Sequence, residues 1–284
     1  MPFVKRPDAR IWWEQSGSGD PVLLIMGHAY GADMWHRTIP ALAARYRVIR
    51  FDNRGAGRSS DPPGPYPVPL MAADALAVLD ASDTASAHVY GVSMGGFIAL
   101  QLALDHPGRV RSLTLGCTAA SAAAAPHGAL LTRARSLVPA AALNRMAWKL
   151  LYGPGTPALR RTEDQQIVRR TRASRQGRHG QLTGAASFDV TSRLGEIQIP
   201  TLVLHGAQDR LVPAANGRRL ADGIAGARIV VFPNAGHVYV TDAPDAANNE
   251  VLRFLGDIAD SANGAGSSPA AKPVPGTQAD GHAT

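Results

Sequence analysis

The chain carries a single cysteine, Cys117, among 284 residues, so no intramolecular disulfide can staple it. The thiol follows an apolar run and reads as a small core residue, not as a redox or nucleophilic group. No stretch approaches about 18 uninterrupted apolar residues, and Met1 to Trp13 lacks an apolar segment after its charges, so no membrane span or secretory signal is expected. A cytoplasmic protein is the expectation. No Cys or His cluster has metal-ligand spacing, the lone His282 makes none, and no internal repeat is evident. The glycines near Arg54 lack phosphate-loop spacing, with no Lys-Ser or Lys-Thr after them, so no nucleotide site is supported. Neither a metal nor a cofactor is expected.

The formal charge of +7 suggests nucleic acid at first sight, but its distribution argues otherwise. Between Thr118 and Gly195 lie twelve basic and three acidic residues, leaving seventeen basic and nineteen acidic elsewhere. Arg160, Arg161, Arg169, Arg170, Arg172, Arg175 and Arg178 fall at mixed helical spacings without interleaved aromatics, which is no nucleic-acid motif. The insert reads as a solvated helix face or, more sharply, as a lid attracting an acidic substrate.

What is present is Val89-Tyr90-Gly91-Val92-Ser93-Met94-Gly95-Gly96, an apolar strand entering a Gly-x-Ser-x-Gly turn and then an alanine-rich helix. Small flanking residues permit a tight turn, and the helix start points unpaired N–H groups toward whatever Ser93 binds. The bland alternative is a serine that merely caps the helix. A nucleophilic serine needs a histidine base and an acid to orient it. Asp209 lies in a loop after the buried strand Thr201 to Leu204, and His237 ends Asn234-Ala235-Gly236-His237 after the strand Arg228 to Phe232. His205, at a strand's apolar end, is read as packing or bonding locally, and His88 starts the strand that leads to Ser93. Asp242 and Asp245 are assigned to the loop and first turn of the last helix, where acids suit the helix dipole.

The order Ser93, Asp209, His237 is the one expected of α/β-hydrolases, and from about Ile11 to about Ile258 the chain resembles that superfamily. The match is carried by the Ser93 turn, by Phe51-Asp52-Asn53-Arg54-Gly55-Ala56-Gly57-Arg58-Ser59, by His205-Gly206-Ala207-Gln208-Asp209 and by the Gly236-His237 loop. The resemblance implies an oxyanion hole made by the N–H groups of Met94 and His28, the latter following Met26-Gly27. A methionine there, in place of the usual histidine, resembles anthracycline methylesterases. The Asp52 to Ser59 loop is implied to be structural, braced by Asp and Arg hydrogen bonds.

The architecture implied is a mostly parallel eight-stranded sheet with helices on both faces and a helical cap insert. Residues 1–117 and 196–260 would form the core, 118–195 the cap and 261–284 a disordered Gly/Ala/Ser/Pro-rich tail. Helices are expected near Asp33, which can cap the first, and over Leu70 to Asp80 and Pro244 to Ile258. In the insert they are expected over Ala129 to Val138, Ala141 to Tyr152 and Thr162 to Arg175, with Leu131, Leu143, Met146, Trp148 and Leu150 as candidates to face a pocket. The leading function is hydrolysis of a small-molecule carboxylic ester or lactone through an acyl-enzyme on Ser93, without nucleic-acid or membrane partners. Carbon–carbon bond hydrolysis, cofactor-free perhydrolysis and a non-catalytic small-molecule receptor stay open. Haloalkane and epoxide hydrolases are disfavoured, since those families place Asp where this chain has Ser93.

Overall fold

A computed structural model describes residues 3–124, 149–171 and 173–265. The helix expected over Ala129 to Val138, most of that over Ala141 to Tyr152, the side chains Leu131, Leu143, Met146 and Trp148, Arg172, and the tail beyond 265 lie outside the described residues.

Eight strands form one sheet: β1 Phe3–Lys5, β2 Arg10–Ser16, β3 Pro21–Ile25, β4 Arg47–Phe51, β5 Ala87–Val92, β6 Val110–Gly116, β7 Thr201–Gly206 and β8 Arg228–Phe232. Their spatial order is β1-β2-β4-β3-β5-β6-β7-β8; β2 pairs antiparallel with both β1 and β4, and the remaining pairs are parallel. Every residue of β3, β5 and β7 is buried, as expected of central parallel strands covered on both faces.

Alternation along β3 divides the core. Leu23 and Ile25 pack with Val89, Met71, Ile98 and Leu102 on one face, the latter three from α2 (Val68–Ala81) and α3 (Met94–Asp105). Val22 and Leu24 pack with Tyr90, Leu204, Phe254 and Leu255 on the other, over α1 (Ile39–Ala43) and the last helix. The period of two thus gives each face its own hydrophobic layer. Between β6 and β7 the insert carries α4 (Ala158–Thr171) and α5 (Arg175–Ala185). The chain then adds α6 (Ala215–Gly223), α7 (Tyr239–Asp242) and α8 (Pro244–Ala265).

Two local expectations are corrected. Asp33 does not cap a helix: it lies inside a 3₁₀ turn, Ala32–Trp35, and its Oδ1 accepts from Arg50 and Arg58, both at 2.9 Å. The last helix continues past Ile258 to Ala265 because no Gly-Pro break interrupts it before that point.

The loop after β4 is a brace, as its resemblance implied. Asp52 accepts from the Ala32 N–H at 2.6 Å and from the Arg58 N–H and Nε at 2.8 and 2.7 Å. Arg54, fully buried, grips Asp74 on α2 with Nε at 2.6 Å and Nη2 at 2.8 Å, and reaches Asp8 at 2.9 Å. A buried guanidinium is tolerable only with such pairing.

Candidate active site

Ser93, Asp209, His237 and His28 follow the carboxyl ends of strands, where open α/β sheets bind ligands, and Met94 opens the helix after Ser93. Ser93 sits between β5 and α3 with φ 53° and ψ −123°, a conformation rarely adopted by a residue with a Cβ. It is held there from both sides. Its N–H donates to Gly116 O at 2.8 Å, and its carbonyl accepts from the Gly96 N–H at 2.8 Å and the Thr118 hydroxyl at 2.7 Å. Met94 opens α3, so its N–H has no partner within the helix.

The Asp209 and His237 side chains meet. His237 Nδ1 lies 2.8 Å from Asp209 Oδ2, and since an ionised carboxylate only accepts, Nδ1 carries the proton. The other oxygen of Asp209 accepts the N–H groups of Leu211 and Val212, both at 2.8 Å. Burial alone would push this carboxyl up, but the neighbouring His237 charge and the bonds from His205, His237 and Val212 hold it well below the usual carboxylate range. It therefore stays ionised.

The His237 loop is tied down by Asp242. Its Oδ2 accepts from the Gly236 N–H at 2.6 Å and the Gly153 N–H at 2.8 Å, and its Oδ1 accepts from the Thr156 hydroxyl. Burial raises the pKa of this carboxyl, against the opposing hydrogen bonds. The sequence reading treated Asp242 as a helix-start acid and missed this link.

His28 follows β3, in a loop gripped by the insert. Ala29, at φ 69°, donates its N–H to Gln181 Oε1 at 2.8 Å and accepts at its carbonyl from the Ala173 N–H at 3.0 Å. Gln181 is fully buried, and its Nε2 donates onward to Arg54 O at 2.8 Å. The His28 ring faces the insert, with Nε2 donating to Arg178 O at 3.0 Å. Asn53, just beyond β4, adds a buried bond from Nδ2 to Met26 O at 2.8 Å.

Among the described residues one group of possible metal ligands converges, Cys117, His205 and Asp209, all buried. Its chemistry does not suit an ion. Burial pushes the Cys117 thiol well up, with Asp209's charge adding to the effect, and both Asp209 oxygens already accept N–H groups. His205 bonds locally as expected, its Nε2 donating to Val212 O at 2.9 Å. His88, near the start of β5, meets Ser112 Oγ at 2.8 Å.

The sequence of residues 20–244 matches the family described as the alpha/beta hydrolase fold. The chain belongs to this family. Over 91% of this hydrolase and 99% of the relative, it is 36% identical to the "Putative carbamate hydrolase RutD" of Azorhizobium caulinodans. It is 31% identical to 3-oxoadipate enol-lactonase 2 of Acinetobacter baylyi, over 86% of this hydrolase and 92% of that one. Among solved structures, a hydrolase from Pseudomonas aeruginosa superposes with a TM-score of 0.79 at 30% identity, covering 89% of this hydrolase and 97% of the other. Among its described residues, no helix is long and apolar enough to cross a membrane.

Proposed function

We propose that this α/β hydrolase cleaves a carboxylic ester or lactone of a small molecule through an acyl-enzyme on Ser93. The observation that carries the reading is the 2.8 Å bond between His237 Nδ1 and Asp209 Oδ2, on the carboxyl-terminal side of the sheet, the side on which Ser93 occupies its strained turn. A lactonase among the relatives supports the substrate class.

With Nδ1 protonated toward Asp209, the other ring nitrogen of His237 is the basic one. Ser93 Oγ bonds to the substrate carbonyl carbon while its proton passes to that nitrogen, and the carbonyl oxygen takes negative charge. Backbone N–H groups of Met94 and His28 receive that charge. The carbon–oxygen bond to the alcohol then breaks and His237 returns the proton to the leaving oxygen. Water adds to the acyl-enzyme, its proton goes to His237 and then to Ser93 Oγ, and a carboxylate and one proton are released. From a lactone, alcohol and carboxylate stay in one hydroxy acid. Asp209 holds the ring and offsets its transient charge throughout. Residues 118–195 act as a cap over these loops, consistent with the bonds that Ala173, Arg178 and Gln181 make to the His28 loop.

A fluorophosphonate probe tests the assignment directly. Wild-type protein should be labelled at Ser93 and hydrolyse 4-nitrophenyl esters or simple lactones, and Ser93→Ala should lose the label and several powers of ten in turnover. Unlabelled, folded wild-type protein would overturn the reading in favour of a binding protein.

A further inference from the structure

A depression of about 800 Å³ lies between the insert and the loop that carries Asp209, lined by Lys149, Tyr152, Ala158, Arg161, Gln208 and Arg210 among others. Its walls continue into the loops described above: Gln208 and Arg210 flank Asp209, and Gly153 shares the Asp242 carboxylate with Gly236, the residue before His237. Of the residues facing it, three are cations and none is a carboxylate.

That imbalance is not cancelled nearby. Asp164 is occupied by Arg37 at 2.5 Å, by the Tyr152 hydroxyl at 3.0 Å and by Thr241 at 2.7 Å. Glu163 pairs with Arg37 at 2.5 Å, Asp242 accepts from Gly153, Thr156 and Gly236, and Asp209 is filled by His237 and two backbone N–H donors. Arg161 donates one bond to Thr156 O at 2.9 Å. Among the described residues, neither Lys149 nor Arg210 has a side-chain hydrogen bond or ion pair. Residues 125–148, which precede Lys149, contain Arg133, Arg135 and Arg145 and no Asp or Glu. Lys149 and Arg210, without paired acids among the described residues and set in a concave wall, make a field that attracts and holds an anion.

We propose that this depression is an anion subsite that takes a carboxylate carried by the substrate, so that the preferred ester or lactone is acidic, with Lys149 and Arg210 as its principal cations. The proposal rests on the hydrolase reading above. It also relocates the positive field inferred from the insert's charge count: Arg169 and Arg170 are exposed on α4 and do not line the depression. The same subsite would retain an acidic product, so a dicarboxylate should inhibit competitively.

Mono-4-nitrophenyl glutarate and its methyl ester differ only by the charge and are the substrates of choice. Raising salt from about 20 to about 300 mM should increase KM for the acid roughly fivefold and for the methyl ester less than about twofold, because screening acts on the charge alone. In Lys149→Gln/Arg210→Gln the ratio of kcat/KM, acid over methyl ester, should fall about tenfold and lose most of its salt dependence. Equal salt responses for the two wild-type substrates, or an unchanged ratio in the variant, would overturn the subsite. Calorimetric binding of glutarate to Ser93→Ala separates this from the catalytic reading. Salt-sensitive binding that the Lys149→Gln/Arg210→Gln changes abolish supports the subsite even if neither ester turns over, and its absence counts against it even if both do.

Discussion

His205 Nε2 lies 3.4 Å from Asp209 Oδ2, the same oxygen that His237 engages at 2.8 Å. The acid is thus flanked by two imidazoles, His237 with 7% of its side chain exposed and His205 sealed in the core. Among the described residues, His205 Nδ1 is buried without a hydrogen-bond partner. A methyl group on Gly217 would fall 2.6 Å from that nitrogen. Both His205→Leu and Gly217→Ala should therefore loosen Asp209. Loss of one such bond predicts kcat down about tenfold with KM within about twofold. Wild-type kcat in both variants would show that His205 only fills space.

Gln181 is the second test. Gln181→Leu strips the partner from the Ala29 N–H and from the Arg54 carbonyl, and each buried orphan costs about 1–3 kcal/mol. The melting temperature should drop by several degrees, about 2–4 °C for each kcal/mol lost. Because Ala29 adjoins the proposed oxyanion donor His28, kcat should fall as well, by tenfold or more at this energy. A stable variant with unimpaired kcat would remove the insert from any role in shaping that loop.

Stability against pH should carry the mark of His88. Burial, with the Arg111 charge adding, lowers its pKa from 6.5 to about 4. Between those values the unfolded chain binds a proton that the folded chain refuses. Stability from this group is therefore complete above about 6.5 and is lost as pH falls toward about 4, up to about 3 kcal/mol in all. His88→Asn should flatten the denaturant-measured stability profile across that window. An identical slope in the variant would assign the loss to other groups.

Arg54→Leu should be among the most damaging substitutions distant from Ser93. It takes two hydrogen bonds from Asp74, which is 1% exposed, and leaves it the part-buried Arg6 Nε at 3.0 Å. Breaking a buried pair by removing one partner costs about 3–5 kcal/mol. Replacing both residues with apolar ones of similar volume should recover most of that. A double variant no more stable than the single one would contradict this account.

The candidate residues Ser93, Asp209 and His237 could be picked out in the sequence because each follows an apolar strand, a pattern that local order reveals. Their supports could not. Gln181 and Ala29 are 152 positions apart, and Asp242 reaches back to Gly153 and Thr156, so only the folded chain brings them together. The sheet was readable for the same local reason: β8 matches the strand expected over Arg228 to Phe232, and β7 runs two residues past the one expected over Thr201 to Leu204. Helix α5 escaped notice because Gly177, Gly180 and Gly184 resemble helix breakers. In the structure they share one helix face, where Cβ atoms would collide with Gly55 and Tyr66. Here tertiary contact overrides helix propensity. The insert's polar helix was found but shifted: Thr162 to Arg175 was expected and Ala158–Thr171 is observed.

The grip of residues 173–181 on the His28–Ala29 loop bears on how such proteins diversify. A segment that fixes the loop carrying His28 is not an interchangeable part. Chimaeras that import the corresponding segment from another hydrolase should acquire new selectivity and keep their speed only if the incoming sequence also presents an amide side chain to the Ala29 N–H. Laboratory evolution of this scaffold would accordingly have its freest choices on the Lys149 to Gln165 wall and its tightest at Gln181, a few turns along the same excursion.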